Sequence, residues 1–207
     1  MKSFDFKDKK VLIRVDFNVP QDENLAVTDN TRIMAAAPTI KKVLAEGGIP
    51  VLMSHLGRPG GERVPKMSLS ALVDEVEKAV GATVHFAEDC IGDVAAAAVA
   101  KAKAGEAVLL ENLRYYKEET TGDKGFAEAL AALGDIYLND AFGTAHRAHA
   151  STAIVAQFFS TENKGFGDLM NAEVESISKA LGSDRDSTVA IIGGAKVSSK
   201  IGVITNM

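Results

Sequence analysis

The sequence is short of several things, and each shortage excludes something. A lone cysteine, Cys90, can form no disulfide within the chain and has no second cysteine with which to build a metal knuckle, so a small apolar packing role is expected of it. Aromatic residues make up only 6% of the chain, so the core must be mainly aliphatic. No apolar run approaches the roughly 18 residues of a membrane span. The opening MKSFDFKDKK has no apolar signal-peptide core, and a cytoplasmic protein without a membrane partner is expected. Positive charge is not in excess either. At a net charge of −5 the chain lacks the cationic surface that nonspecific binding to nucleic acid or an anionic membrane requires, so any anion site must be local.

What is there reads as an ordinary globular composition, 46% apolar and 25% charged over 207 residues, slightly longer than one typical domain. Short apolar runs, Val11 to Val15, Ile49 to Met53, Thr83 to Phe86, Ala107 to Leu110, Ile136 to Leu138 and Val189 to Ile192, alternate with longer stretches of helical periodicity. In Asn30 to Glu46 the apolar positions Ile33, Ala36, Ala37, Ile40, Val43 and Leu44 recur at helical spacing, and Gly47-Gly48 supplies a stop. Ser68 to Val80, Gly92 to Lys103, Lys124 to Leu133 and Gly167 to Leu181 read likewise. Strands separated by crossovers of this length run parallel, with helices over both faces. The fold class expected is α/β, a Rossmann-like three-layer domain with a mainly parallel sheet. A first domain over residues 1–166, a connecting helix over 167–182 and the first strand and helix of a second domain over 183–207 are the expected divisions.

In an open parallel sheet, ligands bind beyond the carboxyl ends of the strands, where loops and helix N-termini converge. The apolar runs lead into VDFN, SHLGRP, ENLRYY, NDAFGTAHRAHA and GGAKVSSK, which carry Asp16, Asn18, His55, Arg58, Arg114, Asp140, His146, Arg147, His149, Lys196 and Lys200. Of the seven arginines, five (Arg14, Arg32, Arg58, Arg114 and Arg147) fall in or just after such segments or in the first turn of the next helix. Taken singly, Asp16 and Asn18 read equally well as turn formers, and Arg58 and Arg114 as solvated loop charges. Arg32 is more telling. It stands in the first turn of a helix capped by Thr28 or Asn30, where the helix dipole disfavours a cation, and a bound anion would remove the conflict. Lys196 and Lys200 are a like-charged i,i+4 pair near a helix start, and the same reasoning applies. GGAKVSSK is not a Walker A loop, and as a glycine-lysine motif it has little specificity.

His146 and His149 stand at i,i+3 without an adequate set of further metal ligands, so hydrogen bonding to an anion or to backbone is the better reading. His85 reads as a packed or surface strand residue. Tyr115 and Tyr116 beside Arg114 would suit RNA stacking, but in an acidic chain core packing fits better.

Taken together, RVDFNVP, NTRI, SHLGRP, LLENLRYYKEE, NDAFGTAHRAHAST and GGAKVSSKIGVI resemble phosphoglycerate kinase, in order and at similar spacing from residue 11 to residue 205. The resemblance implies that Asp16, Asn18, Arg32, His55, Arg58, Arg114 and Arg147 bind 3-phosphoglycerate or 1,3-bisphosphoglycerate. It places Arg14, His146 and His149 in a surrounding basic patch. Arg32 and Lys196 become the catalytic cations, Lys196 neutralising the migrating phosphoryl group, while Lys200 holds nucleotide phosphate. Ser199 departs from the aspartate the family often carries there. The implied reaction moves a phosphoryl group reversibly between 1,3-bisphosphoglycerate and ADP, as in glycolysis. A carboxylate nucleophile needs no general base, so positioning and charge neutralisation are the whole task, and arginines suit it. Magnesium is expected with ATP or ADP in the complete enzyme, with no metal ligand assigned in this chain. A nucleotide-binding C-terminal half is the expected missing partner, and the chain alone is expected to bind 3-phosphoglycerate but to be nearly inactive. A standalone binding module for small phosphorylated acids remains the alternative.

Overall fold

The computed structural model describes residues 4–182 and 191, and in them the apolar runs become the strands of one sheet. These are β1 (Lys10–Arg14), β2 (Ile49–Met53), β3 (Val84–Ala87), β4 (Ala107–Leu110), β5 (Ile136–Asn139) and a short β6 (Lys164–Phe166). The order across the sheet is β3-β4-β2-β1-β5-β6, and every pairing is parallel. Among the described residues six α-helices accompany them: α1 (Thr31–Ala45), α2 (Val73–Val80), α3 (Gly92–Lys101), α4 (Lys117–Thr121), α5 (Lys124–Ala131) and α6 (Asp168–Gly182).

Side chains of the central strands alternate between two cores, as the period of two dictates. Val11 and Ile13 of β1, Leu52 of β2 and Leu109 of β4 meet Ile33, Ala36, Ile40 and Val43 of α1 and Val76 of α2. Leu12, Val51, Met53, Val108 and Leu110 point the other way, onto Val99 of α3 and Phe126 and Leu130 of α5. Both faces are therefore covered, which is why these strands are nearly continuous apolar runs. The expected three-layer α/β architecture is what the chain adopts. Packing outweighs local cost in α1, where Pro38 sits inside the helix. An interior proline costs about 3 kcal/mol, and full burial of each large aliphatic side chain returns about 1.5–3 kcal/mol. The buried Cys90 lies in the second core, as its isolation in the sequence suggested.

Three local differences have identifiable causes. The stretch beginning at Ser68 is not one helix but a 3-10 turn (Leu69–Leu72) leading into α2, because the Glu111 carboxylate takes the Ser68 hydroxyl and the Leu69 N–H. Helix α4 is too short and polar to show periodicity; its stop is Gly122 at φ +72°. Strand β6 is three residues with a central glycine, below the length at which alternation can be read. His85 is a surface strand residue paired with Glu106, and Tyr115 packs inward while its hydroxyl donates to the Val64 carbonyl.

The chain falls into two compact units, Met1–Asn171, which holds the whole sheet, and Ala172–Met207. In the second unit the described part is the remainder of α6, where Val174 and Ile177 are exposed, and residue 191. The expected strand Val189 to Ile192 falls almost wholly outside the described residues, as do Lys196, Ser199 and Lys200.

Candidate functional site

At the carboxyl ends of the strands the chain leaves β1 toward β2 on one side and leaves β5 toward β6 on the other. The loops after β1 and β5 thus part and leave a crevice, the switch point of an open parallel sheet. A cleft of about 260 Å³ lies there, lined by Asp16, Asn18, Arg32, His55, Gly57, Arg58, Arg114, Gly143, Thr144 and Arg147. All seven residues expected to contact substrate are among them. A neighbouring hollow of about 420 Å³ shares Arg58, Arg114 and Arg147 and adds Lys117 and His149.

The walls are tied to one another by bonds between side chains and backbone, so the cleft is built rather than incidental. Asn18 Oδ1 accepts the Gly57 N–H at 2.8 Å, while Arg114 Nη1 donates to the Gly57 carbonyl at 2.8 Å. Gly57 has φ +65°, a conformation that favours glycine, and a Cβ there would also press on the flexible end of Met67, with Sδ at 2.8 Å. Asn112 donates from Nδ2 to the carbonyls of Leu56 and Met67 and accepts the Arg114 N–H, which locks the loop after β4 to the loop after β2.

Four guanidinium groups line this cleft against one carboxylate, Asp16. Asp16 Oδ2 accepts from Arg32 Nη1 at 2.7 Å and so supplies the anion that the first turn of α1 lacks. The cap itself differs from expectation. Asn30 occupies the N-cap position without a side-chain bond to the helix end, and Asp29 Oδ1 takes the Thr31 N–H instead. Arg114 is buried, its Nε without a partner among the described residues, and burial, followed by the charges of Arg14 and Arg147, presses its pKa downward.

Behind the cleft wall lies a polar cluster closed to water. Arg14 is 0% exposed; its Nε donates to Ser151 Oγ at 2.8 Å, Nη1 to the Val15 carbonyl, and Nη2 meets His55 Nδ1 at 3.1 Å. Ser151 in turn gives its hydroxyl proton to Glu119 Oε1 at 2.7 Å and its N–H to Oε2 at 3.0 Å. Burial and then the Arg14 and Arg114 charges push the His55 imidazole down to about 2. Burial acts to raise Glu119, but His149 and Ser151 beside it and the Arg14 charge outweigh it and hold the carboxyl below its ordinary 4.5. His149 Nδ1 stands 3.7 Å from Glu119, beyond hydrogen-bond reach.

The three residues expected to form a basic patch take different places. Arg14 is interior, His149 lines the neighbouring hollow, and His146 is exposed, its Nε2 accepting from Arg147 Nε at 3.1 Å. Sequence reasoning missed Glu119 and Ser151. Glu119 stands in the acidic run KEET, which reads as a solvated face, and only its distance from water in the fold gives it meaning. Asp140 proves structural: Oδ1 accepts the Met170 N–H and so secures the first turn of α6.

Among the described residues no group of three or more His, Cys, Asp or Glu side chains is placed to hold a metal ion. Nor is any described helix long and apolar enough to cross a membrane.

Comparison with known proteins agrees with the fold and the motifs. The family model described as phosphoglycerate kinase matches residues 1–207. A phosphoglycerate kinase of Moorella thermoacetica is 50% identical over 207 residues, covering 100% of this chain and 52% of the relative. One of Porphyromonas gingivalis is 44% identical over 230 residues, covering 100% of this chain and 55% of the relative. Among solved structures, the phosphoglycerate kinase of Coxiella burnetii superposes with a TM-score of 0.85 at 35% identity, over 98% of this chain and 50% of that one. The chain spans about half the length of the relatives it matches. On the whole-chain match, the parallel six-stranded fold and the order of its motifs, this protein belongs to the phosphoglycerate kinase family.

Proposed function

We propose that residues 1–207 form the part of a phosphoglycerate kinase that binds 3-phosphoglycerate or 1,3-bisphosphoglycerate in the cleft between β1 and β5. One observation carries the reading: four guanidinium groups converge on a cleft whose lining holds a single carboxylate, in a chain whose net charge is −5. Such a concentration of like charge is unfavourable unless an anion completes it, and planar guanidinium groups suit the carboxylate and phosphate of this acid. In this proposal Arg58, Arg114 and Arg147 take one charged end, and Arg32, Asp16, Asn18 and His55 take the other. The reaction is reversible phosphoryl transfer to ADP, with the magnesium nucleotide as second substrate. Lys196 and Lys200, outside the described residues, are proposed to meet its phosphates. A cytoplasmic location belongs to the same proposal.

Isothermal titration of the purified chain with 3-phosphoglycerate at low salt tests it. Saturable heat that weakens with added salt is expected, and no heat at millimolar ligand would refute the assignment. A coupled assay with 1,3-bisphosphoglycerate and ADP is expected to show little turnover from these residues alone. Joining two substrates in one site accounts for about 7–11 kcal/mol of a barrier, and in this proposal the described residues supply the groups for only one of them.

A further inference from the structure

A fully buried guanidinium needs a counterion, and among the described residues Arg14 has none in direct contact. The Glu119 carboxylate is reached through the hydroxyl of Ser151, and all three side chains are 0% exposed. The proton positions in this chain are forced. A guanidinium can only donate, so Ser151 Oγ accepts from Arg14 and must spend its own proton on Glu119. For the same reason His55 Nδ1, 3.1 Å from Arg14 Nη2, must accept. Its ring proton then resides on Nε2, and His55 is one of the residues lining the cleft.

We infer that Glu119 and Ser151 are positioning residues for the cleft: acting through Arg14, they hold the His55 imidazole in its neutral form with the proton on Nε2, as a fixed hydrogen-bond donor to the bound acid. Burial acts first on His55, and the charged groups that follow are Arg14, Arg114, His149 and Arg32, which all disfavour a positive charge on the ring. Asp16 and Glu119 are the carboxylates of the surroundings, but each is already engaged, Asp16 with Arg32 and Glu119 with Ser151. The consequence is a donor whose protonation does not change across neutral pH. Without Ser151, Arg14 is drawn toward Glu119 and away from the ring, and His55 loses both its orientation and its tautomer.

Only the identity of the ligand in this inference rests on the function proposed above; the tautomer does not. Long-range proton–nitrogen spectra of histidine-labelled protein between pH 5 and 8 test it without ligand. The wild type is expected to show His55 as the Nε2–H tautomer without titration; a ring protonated on Nδ1, or doubly protonated at pH 7, would overturn the inference. Ser151→Ala is expected to mix the tautomers and bring His55 into the titrating range, and Ser151→Thr, which keeps the hydroxyl, to restore the wild-type spectrum. Affinity for 3-phosphoglycerate is expected to fall roughly tenfold in Ser151→Ala, about the worth of one well-placed hydrogen bond, and to become pH-dependent. Should Ser151→Ala fail to fold, Glu119→Gln and the wild-type spectrum decide. An unchanged tautomer and unchanged affinity in a folded variant would sink the positioning role. A correct wild-type tautomer with no 3-phosphoglycerate binding would instead count against the proposed ligand.

Discussion

The carboxylate of Asp16 and the guanidinium of Arg32 meet at 2.7 Å on the lining of the cleft. A loop after one strand thereby provides the negative charge that the first turn of the next helix does not contain. Arg32 is also 52% exposed at its side chain, so the pair itself contributes little to stability, on the order of 0–1 kcal/mol.

Arg32→Ala should therefore separate folding from binding. Stability by urea denaturation is expected to change by less than about 1 kcal/mol. Affinity for 3-phosphoglycerate is expected to fall by about 1.5–3 kcal/mol, the worth of a hydrogen bond to a charged group. Equal losses in both measurements would make Arg32 a structural residue only. Arg147→Ala is expected to behave the same way, and unchanged affinity would remove it from the site.

His55 should leave a signature in the pH dependence of stability. Its folded pKa is pushed from 6.5 to about 2, so between those values the unfolded chain binds a proton that the folded chain refuses. The contribution is complete above pH 6.5 and is lost as pH falls, at up to about 1.4 kcal/mol per pH unit. His55→Gln should flatten the slope of unfolding free energy between pH 5 and 6.5 by a substantial part of that amount. An unaltered slope would mean that the ring is protonated in the folded protein.

Glu119→Ala should be among the costliest single changes to the fold, about 3–5 kcal/mol, because it strands a buried guanidinium. The folded pKa of Glu119 is depressed, so its contribution is present above 4.5 and lost as pH falls through the folded value. Thermal unfolding of wild type and variant should thus differ most at neutral pH and converge in acid. A difference independent of pH would point to packing alone.

Gly167→Ala tests the attachment of α6. A Cβ at Gly167 would lie 2.3 Å from Asp140 Cγ and Oδ1, and Asp140 cannot swing aside without releasing the Met170 N–H. A cost of about 1–3 kcal/mol is expected. Gly167 itself carries no left-handed φ, so unchanged stability in Gly167→Ala would show that contact with Asp140 contributes nothing.

How far the sequence disclosed all this depends on the kind of signal. Val11 to Val15 and Ile49 to Met53 were legible as strands because sheet burial on both faces makes a run apolar throughout. Arg32, Arg58, Arg114 and Arg147 were legible as one group because a parallel sheet gathers its strand ends at one edge, whatever their separation along the chain. Glu119 and Ser151 were not legible, since nothing in KEET or HAST distinguishes a buried side chain from a wet one. The 3-10 turn at Leu69–Leu72 was hidden for a related reason, because its cause is Glu111, more than forty residues away.

The central strand has a further consequence for how the chain is made. β1 takes one partner from β2 but the other from β5, and the bond from Lys10 N–H to the Asp135 carboxylate spans 125 residues. During synthesis at about 5–20 residues per second, the far edge of β1 waits roughly 6–25 s for its neighbour to emerge. Throughout that interval an apolar strand edge is open to other chains, and the Arg14 guanidinium at its end stays hydrated because Glu119 and Ser151 have not yet closed over it. The cleft is thus among the last parts of the first unit to acquire its shape, so nascent chains stopped before residue 151 should carry the sequence motifs of the site without its chemistry.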